Sequence, residues 1–261
     1  MRLLKGLPVV NALHEKIKDS NIIPKLAIIR IGEREDDVAY EKSIIKKFNS
    51  MNAVAEVTTL PVDISQNTFD ETIIAFNNDE TVHGIMIFQP LPKHLSADLI
   101  DAGKDVDCIS TKNNAYVYEG KKQGYPPCTP QAVVEILDFY GIDVTGKKVT
   151  IVGRSLVVGK PLAMLLLAKN ATVTICHTKT VNLSAECRAA DILIACAGVP
   201  KMINADHVHN EQIIIDVGYP GDVDFESVAT KVKAITPVPG GVGPVTTSVL
   251  LMNTFDNALK K

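Results

Sequence analysis

Short apolar runs alternate with stretches of helical period along most of this chain, and that alternation restricts the fold more than any other feature. K-L-A-I-I-R-I (25–31), V-A-E-V-T-T-L (54–60) and H-G-I-M-I-F-Q (83–89) read as strands, with helices expected near 36–51 and 66–78. A second block follows: a helix near 130–140, the strand K-K-V-T-I-V-G (147–153), a helix to about 169, then A-T-V-T-I-C (171–176). A helix near 182–189, D-I-L-I-A-C-A (191–197), Q-I-I-I-D-V-G (212–218) and an apolar C-terminal helix complete it. Each crossover is long enough for the helix that a parallel βαβ unit requires. The expected fold class is therefore α/β with parallel strands. The polar stretch 103–130, which lacks periodicity, is the candidate interdomain region.

With 261 residues, two modest domains can each bury a core. A formal net charge of −3 gives no electrostatic case for nucleic acid or a membrane surface. No run approaches the roughly 20 apolar residues of a membrane span. The apolar N-terminus is interrupted by Lys5 and Pro8, so a cytoplasmic protein is expected. The five cysteines form no C-x-x-C pair, which argues against a disulfide framework or a zinc knuckle. His207 and His209 could share a strand face, but no third ligand is near in sequence, and no metal is expected.

The strand ending at Gly153 runs into G-R-S-L-V-V-G and then a helix, the context of a dinucleotide-binding turn. Gly153 permits a tight turn, and the helix N-terminus offers unpaired N–H groups to a pyrophosphate. Ser155 occupies the second glycine position of G-x-G-x-x-G and Gly159 comes one residue late, so a plain glycine-terminated strand and capped helix is the competing reading. An NAD site places an acid at the end of the next strand; here that strand ends in His177, Thr178, Lys179 and Thr180. With Arg154 in the turn, this favours the 2′-phosphate of NADP, with NAD as the alternative. P-V-P-G-G-V-G-P-V-T (237–246) fits close approach by a flat ligand as well as it fits an ordinary rigid loop.

Taken together, these segments resemble the methylenetetrahydrofolate dehydrogenase/cyclohydrolase family. The stretches that carry the resemblance are P-C-T-P (127–130), G-R-S-L-V-V-G-K-P (153–161), C-H-T-K-T (176–180), A-D-I-L-I-A-C-A-G (190–198), I-D-V-G (215–218) and T-P-V-P-G-G-V-G-P-V-T (236–246). G-E-x-x-x-x-x-x-Y (32–40), G-I-M-I-F-Q-P-L-P (84–92) and K-D-V-D (104–107) extend it through the N-terminal half. The resemblance implies two α/β domains flanking a cleft. Residues 1–126 plus 245–261 would form the folate-binding catalytic domain, and residues 127–244 a Rossmann-type domain for NADP. It further implies a homodimer in one-carbon folate metabolism, supplying purine biosynthesis. The implied reaction passes a hydride from methylenetetrahydrofolate to NADP, and a cyclohydrolase step then opens the methenyl product.

By position, Tyr40 matches the tyrosine that stacks on the folate, and Asp107 the acid that holds the pterin's polar edge; these two are the expected catalytic residues. Ile44, Phe88, Gln89 and Pro90 fall in the same substrate site, and Pro239, Gly240, Gly241 and Gly243 line its far side. Gly153, Arg154 and Ser155, with Thr178, match the contacts to the NADP phosphate and ribose. Tyr219 falls where a backbone touches the nicotinamide. Tyr40 as a half-buried helix residue and Asp107 as a turn-capping acid are the plainer readings.

Two positions depart from the family. Its pattern Y-V-x-x-K puts a lysine where this chain has Ile44, and its G-I-L-V-Q-L-P-L-P puts a glutamine where Phe88 stands. Gln89 lies on the opposite face of a strand from Phe88 and is not expected to replace the glutamine. Hydride transfer needs no protein acid or base at the folate carbon, whereas hydration of the methenyl cation does. The expectation is a dehydrogenase with weak or absent cyclohydrolase activity. Lys47, placed in a solvated Lys46–Lys47 rim, offers a rescue route to the full bifunctional enzyme. A silent folate- or nucleotide-binding protein and a Rossmann enzyme for a non-folate substrate are the more distant rivals.

Overall fold

The structure is a computed structural model in which residues 1–260 are described. In chain order the first elements are β1 (Arg2–Leu3), α1 (Gly6–Glu15), β2 (Lys25–Ile31), α2 (Glu35–Asn49), β3 (Val54–Leu60), α3 (Gln66–Asn78) and β4 (Gly84–Ile87). Next come α4 (Thr111–Tyr118), α5 (Cys128–Phe139), β5 (Lys148–Val152), α6 (Gly159–Ala168), β6 (Thr172–Cys176) and α7 (Leu183–Arg188). The chain closes with β7 (Ile192–Ala195), β8 (Ile213–Asp216), α8 (Phe225–Ala229), β9 (Ala234–Ile235) and α9 (Val242–Ala258). Among the described residues no helix is long and apolar enough to cross a membrane.

The chain divides into two compact units. One comprises Leu13–Cys128 and the segment from Thr247 onward; the other comprises Met1–Ala12 and Thr129–Thr246. The boundaries expected from the sequence place residues 1–126 in a single unit. The structure departs from this at the N-terminus, for a physical reason: β1 pairs in parallel with β9 (Arg2 with Ala234, Leu3 with Ile235) and so extends the sheet of the second unit.

In the first unit the sheet order is β3-β2-β4, all parallel. The central strand β2 is buried along Leu26–Arg30, as a strand covered on both faces must be. Phe69 and Ile73 of α3 pack on this sheet with Ile29, Ile85 and Ile87; each such side chain contributes about 1.5–3 kcal/mol. Ser65 caps α3 by accepting the Thr68 N–H at 3.2 Å, and Lys104 Nζ donates to the carbonyls of Phe76, Asn77 and Asp79 at 2.8, 2.7 and 2.7 Å near its C-terminus.

The stretch that reads as aperiodic contains a helix, α4, with Ser110 as its N-cap. Asp105 organises its entry, accepting the N–H groups of Ile109 and Ser110 and the Ser110 hydroxyl. Polar side chains rather than an apolar stripe define this turn, so helical periodicity gives no sign of it.

In the second unit the order is β1-β9-β8-β7-β5-β6, parallel throughout. From β5 the chain adds β6 on one side and then crosses to β7 on the other. That reversal is the switch point of a doubly wound sheet, where ligands bind beyond the carboxyl ends of the strands. Leu193, Ile214 and Ile235 lie in the core of this unit with Cys176 and Cys187, and all five cysteines are free thiols.

Candidate active site

In the first unit, α2 sets the geometry. Glu35, Asp36 and Asp37 occupy its first turn, where negative charge complements the helix dipole. Arg34 holds Asp37 through two bonds, Nε to Oδ2 at 2.9 Å and Nη2 to Oδ1 at 2.6 Å. The same Nη2 donates to the Gln89 carbonyl at 2.7 Å, which ties the segment after β4 to the start of α2. Arg30 braces the next turn, bonding Glu41 Oε2 at 2.7 Å and Thr59 Oγ1 at 3.0 Å.

Tyr40 lies half-buried on this helix, and the Phe88 ring meets it edge-on, with centroids 6.1 Å apart and planes at 84°. Ile44, one turn on, is fully buried and Phe88 nearly so. Gln89 turns its side chain onto its own segment, its Oε1 accepting the Leu91 N–H at 3.3 Å. Pro90, exposed, follows a cis bond to Gln89.

Asp107 Oδ1 accepts the Cys128 N–H at 2.9 Å. Burial pushes its carboxyl up to about 6, against the bonds from Cys128 that favour the charged form, while the nearby Asp105 charge adds to the rise. Burial also pushes the Tyr40 phenol well above its ordinary range, reinforced by the charges of Asp107 and Cys128. Tyr40, Phe88, Asp107 and Cys128 are thus one neighbourhood, in which the tyrosine is neutral and the carboxyl titrates in the physiological range. Asn253 supports it from α9, donating to the Val106 carbonyl at 3.0 Å.

Lys47 departs from the expected solvated rim. It is half-buried while Lys46 is exposed, and desolvation pushes its ammonium below the usual range. His14, whose Nε2 lies 3.1 Å from Ser248 Oγ, is pushed down by burial and by the Lys47 charge. The helical position of Lys47 is readable from the sequence, but the packing of α1 and α9 around it is not.

In the second unit, Gly153 follows β5 with φ +133°. A Cβ there would come within 2.3 Å of the Cys196 carbonyl oxygen, and one on Gly159 within 2.2 Å of the Gly153 oxygen. Only glycines permit this close turn at the switch point. Ser155 Oγ accepts the Val158 N–H at 3.1 Å, and Arg154, Ser155 and Thr178 are exposed. A close glycine-bounded backbone turn, opening into α6 and carrying an exposed arginine, fits a dinucleotide phosphate. Tyr219 is 88% exposed after β8.

Pro239, Gly240, Gly241 and Gly243 belong to this second unit. Gly240 has φ +98°, and its carbonyl accepts the Gly6 N–H at 2.8 Å. His207 Nδ1 lies 2.9 Å from Asn204 Oδ1 and His209 Nε2 3.0 Å from the Ala190 carbonyl, so each ring engages its own neighbourhood.

Sequence reasoning assigns no role to Arg34, Cys128 or Asn253. The i, i+3 spacing of Arg34 and Asp37 is the one available signal for the first, and P-C-T-P holds the second.

Comparison with known proteins now bears on this geometry. Residues 6–107 match the tetrahydrofolate dehydrogenase/cyclohydrolase catalytic domain, and residues 127–261 match the NAD(P)-binding domain of the same family. Bifunctional protein FolD of Clostridium botulinum (strain Langeland) is 46% identical over 261 residues, covering 95% of this chain and 93% of the relative. The crystal structure of the Campylobacter jejuni bifunctional methylenetetrahydrofolate dehydrogenase/cyclohydrolase superposes with a TM-score of 0.94 at 38% identity, covering 100% of this chain and 99% of that one. The Trypanosoma brucei dehydrogenase-cyclohydrolase, solved with NADP and an inhibitor, gives a TM-score of 0.88 at 30% identity, covering 98% and 95%. The chain therefore belongs to the tetrahydrofolate dehydrogenase/cyclohydrolase family, and is a folate-linked dehydrogenase whose second domain is that family's NAD(P)-binding domain.

Proposed function

We propose that this chain oxidises methylenetetrahydrofolate to methenyltetrahydrofolate with NADP, and that its cyclohydrolase activity is weak or absent. The observation that carries the second part is that Ile44 is fully buried and that Phe88, also buried, packs its ring on Tyr40. Neither side chain can activate water or move a proton. Hydride transfer is untouched by that loss, because the folate nitrogen lone pair expels the hydride as the carbon–hydrogen bond breaks. When bound, the nicotinamide would supply the hydride acceptor, and the protein's work is placement.

In this reading Tyr40 supports the aminobenzoate ring, the Asp107 carboxylate accepts from the pterin's polar edge, and the backbone of Pro239, Gly240, Gly241 and Gly243 contacts the folate. Gly153, Arg154, Ser155 and Thr178 hold the NADP phosphates and ribose, and Tyr219 lends backbone to the nicotinamide. NADP is the preferred cofactor, with NAD as the alternative, and the chain works in one-carbon metabolism as a cytoplasmic homodimer. Sedimentation of the purified protein tests the dimer.

A second reading keeps the cyclohydrolase, and two observations favour it. The relatives are named as bifunctional, and Lys47 is a half-buried amine with a lowered pKa on the helix of Tyr40. Reduction of NADP by methylenetetrahydrofolate tests the dehydrogenase; the rate of methenyl decay with and without enzyme separates the two readings.

A further inference from the structure

Two buried aspartates, one at the end of β8 and one in the loop that follows, take no part in the chemistry above. Asp216 closes that strand and collects the loop that follows: its Oδ1 accepts the N–H groups of Gly218 and Asp222, both at 3.0 Å, and its Oδ2 that of Val223 at 3.0 Å. Asp222, fully buried, reaches the loop after the neighbouring strand β7. Its Oδ2 accepts the Ala197 N–H at 2.5 Å and the Gly198 N–H at 3.0 Å. Its Oδ1 has no hydrogen-bond partner among the described residues and faces the Gly218 backbone, where a Cβ would come within 2.5 Å of it.

The Ala197–Gly198 segment directly follows Cys196, whose carbonyl oxygen confronts Gly153. Asp216, the 218–223 loop, Asp222, the 196–198 loop and Gly153 therefore form one chain of contacts across the carboxyl ends of β8, β7 and β5. In a doubly wound sheet the half of a dinucleotide beyond the switch point lies over these ends.

We propose that Asp222 is a positioning residue for the nicotinamide half of the cofactor: by holding the Ala197 and Gly198 N–H groups it fixes the loop that faces the Gly153 turn. The proposal rests on the NADP dehydrogenase reading. Asp222→Ala leaves two buried N–H groups without an acceptor and frees the loop. Asp222→Asn keeps one oxygen for them and puts its amide nitrogen where Oδ1 has no partner. Gly218→Ala leaves Asp222 in place but displaces its carboxylate.

The test is equilibrium titration of wild type and the three variants with NADP and separately with tetrahydrofolate, alongside thermal melting. Asp222→Ala and Gly218→Ala should weaken NADP at least tenfold and leave tetrahydrofolate within twofold; Asp222→Asn should stay within threefold of wild type for both. If Asp222→Ala does not fold, Gly218→Ala decides. Unchanged NADP affinity in the folded variants, equal loss of both ligands, or an Asp222→Asn as weak as Asp222→Ala overturns the proposal. Wild type that binds neither NADP nor NAD instead sinks the reading on which it rests.

Discussion

The Phe88 ring meets Tyr40 edge-on, centroids 6.1 Å apart, and so sets an apolar edge against the tyrosine. With Ile44 fully buried one turn along α2, the neighbourhood of Tyr40 offers Asp107 as its titrating carboxyl and no base at positions 44 or 88. Two apolar residues at these buried positions are physically consistent, because a lysine at position 44 with phenylalanine kept at 88 would be a buried charge lacking a polar partner there.

That coupling is measurable. Ile44→Lys alone is expected to destabilise the fold by about 3 kcal/mol, the scale of an uncompensated buried charge, seen as a lowered denaturation midpoint. Adding Phe88→Gln should recover part of that loss. The double variant should also accelerate methenyl decay above the parent rate, while the single variants do not.

Asp107 predicts a pH signature. Its carboxyl sits at about 6 in the folded protein, above the ordinary value of 3.8. A raised acid favours the folded state below the unfolded pKa, and that contribution is lost as pH rises through the folded pKa. Asp107→Asn should therefore be more stable than the parent at pH 8, by about 1–2 kcal/mol after allowance for partial solvation, with the difference shrinking toward pH 4. If the ionised carboxylate holds the pterin, the parent KM for methylenetetrahydrofolate falls as pH rises through 6. The variant KM should be higher and flat.

Gly153→Ala places a methyl group within 2.3 Å of the Cys196 carbonyl oxygen at a φ of +133°. Relief requires the loop after β7 to move. NADP affinity is expected to fall more than tenfold in direct titration, with tetrahydrofolate binding retained.

Arg34→Ala removes both bonds to Asp37 and the bond to the Gln89 carbonyl. The segment carrying Phe88 then loses its hydrogen-bonded tie to the start of α2 and keeps the ring contact with Tyr40. A several-fold rise in folate KM with little change in kcat or in NADP affinity is the expected kinetic outcome, with about 1 kcal/mol of stability lost.

Apart from β1 and β9, the strands of both sheets are legible in the sequence because each is a short apolar run between helical segments, and Gly153 is legible because a strand ends at it. The two-residue strands β1 and β9 carry no periodicity, and their pairing is non-local. That is why residues 1–12 fall on the other side of the division from the one the sequence suggests. Helix α4 is hidden because Ser110 and Asp105 define it through hydrogen bonds. At the site, the positions of Tyr40, Ile44 and Phe88 can be read from spacing and resemblance. The Arg34 tether, the Asn253 support and the half-burial of Lys47 cannot, since each depends on what distant elements bring against α2 or Val106.

One progress curve separates a dehydrogenase from a bifunctional enzyme: NADPH and methenyltetrahydrofolate are followed together after enzyme is added to methylenetetrahydrofolate and NADP. With Ile44 and Phe88 in place, methenyltetrahydrofolate should accumulate in step with NADPH and decay only at its spontaneous rate, unaltered by more enzyme. Methenyltetrahydrofolate lagging well behind NADPH, with a decay rate proportional to enzyme and lost in Lys47→Met, would contradict this expectation and establish the bifunctional reading.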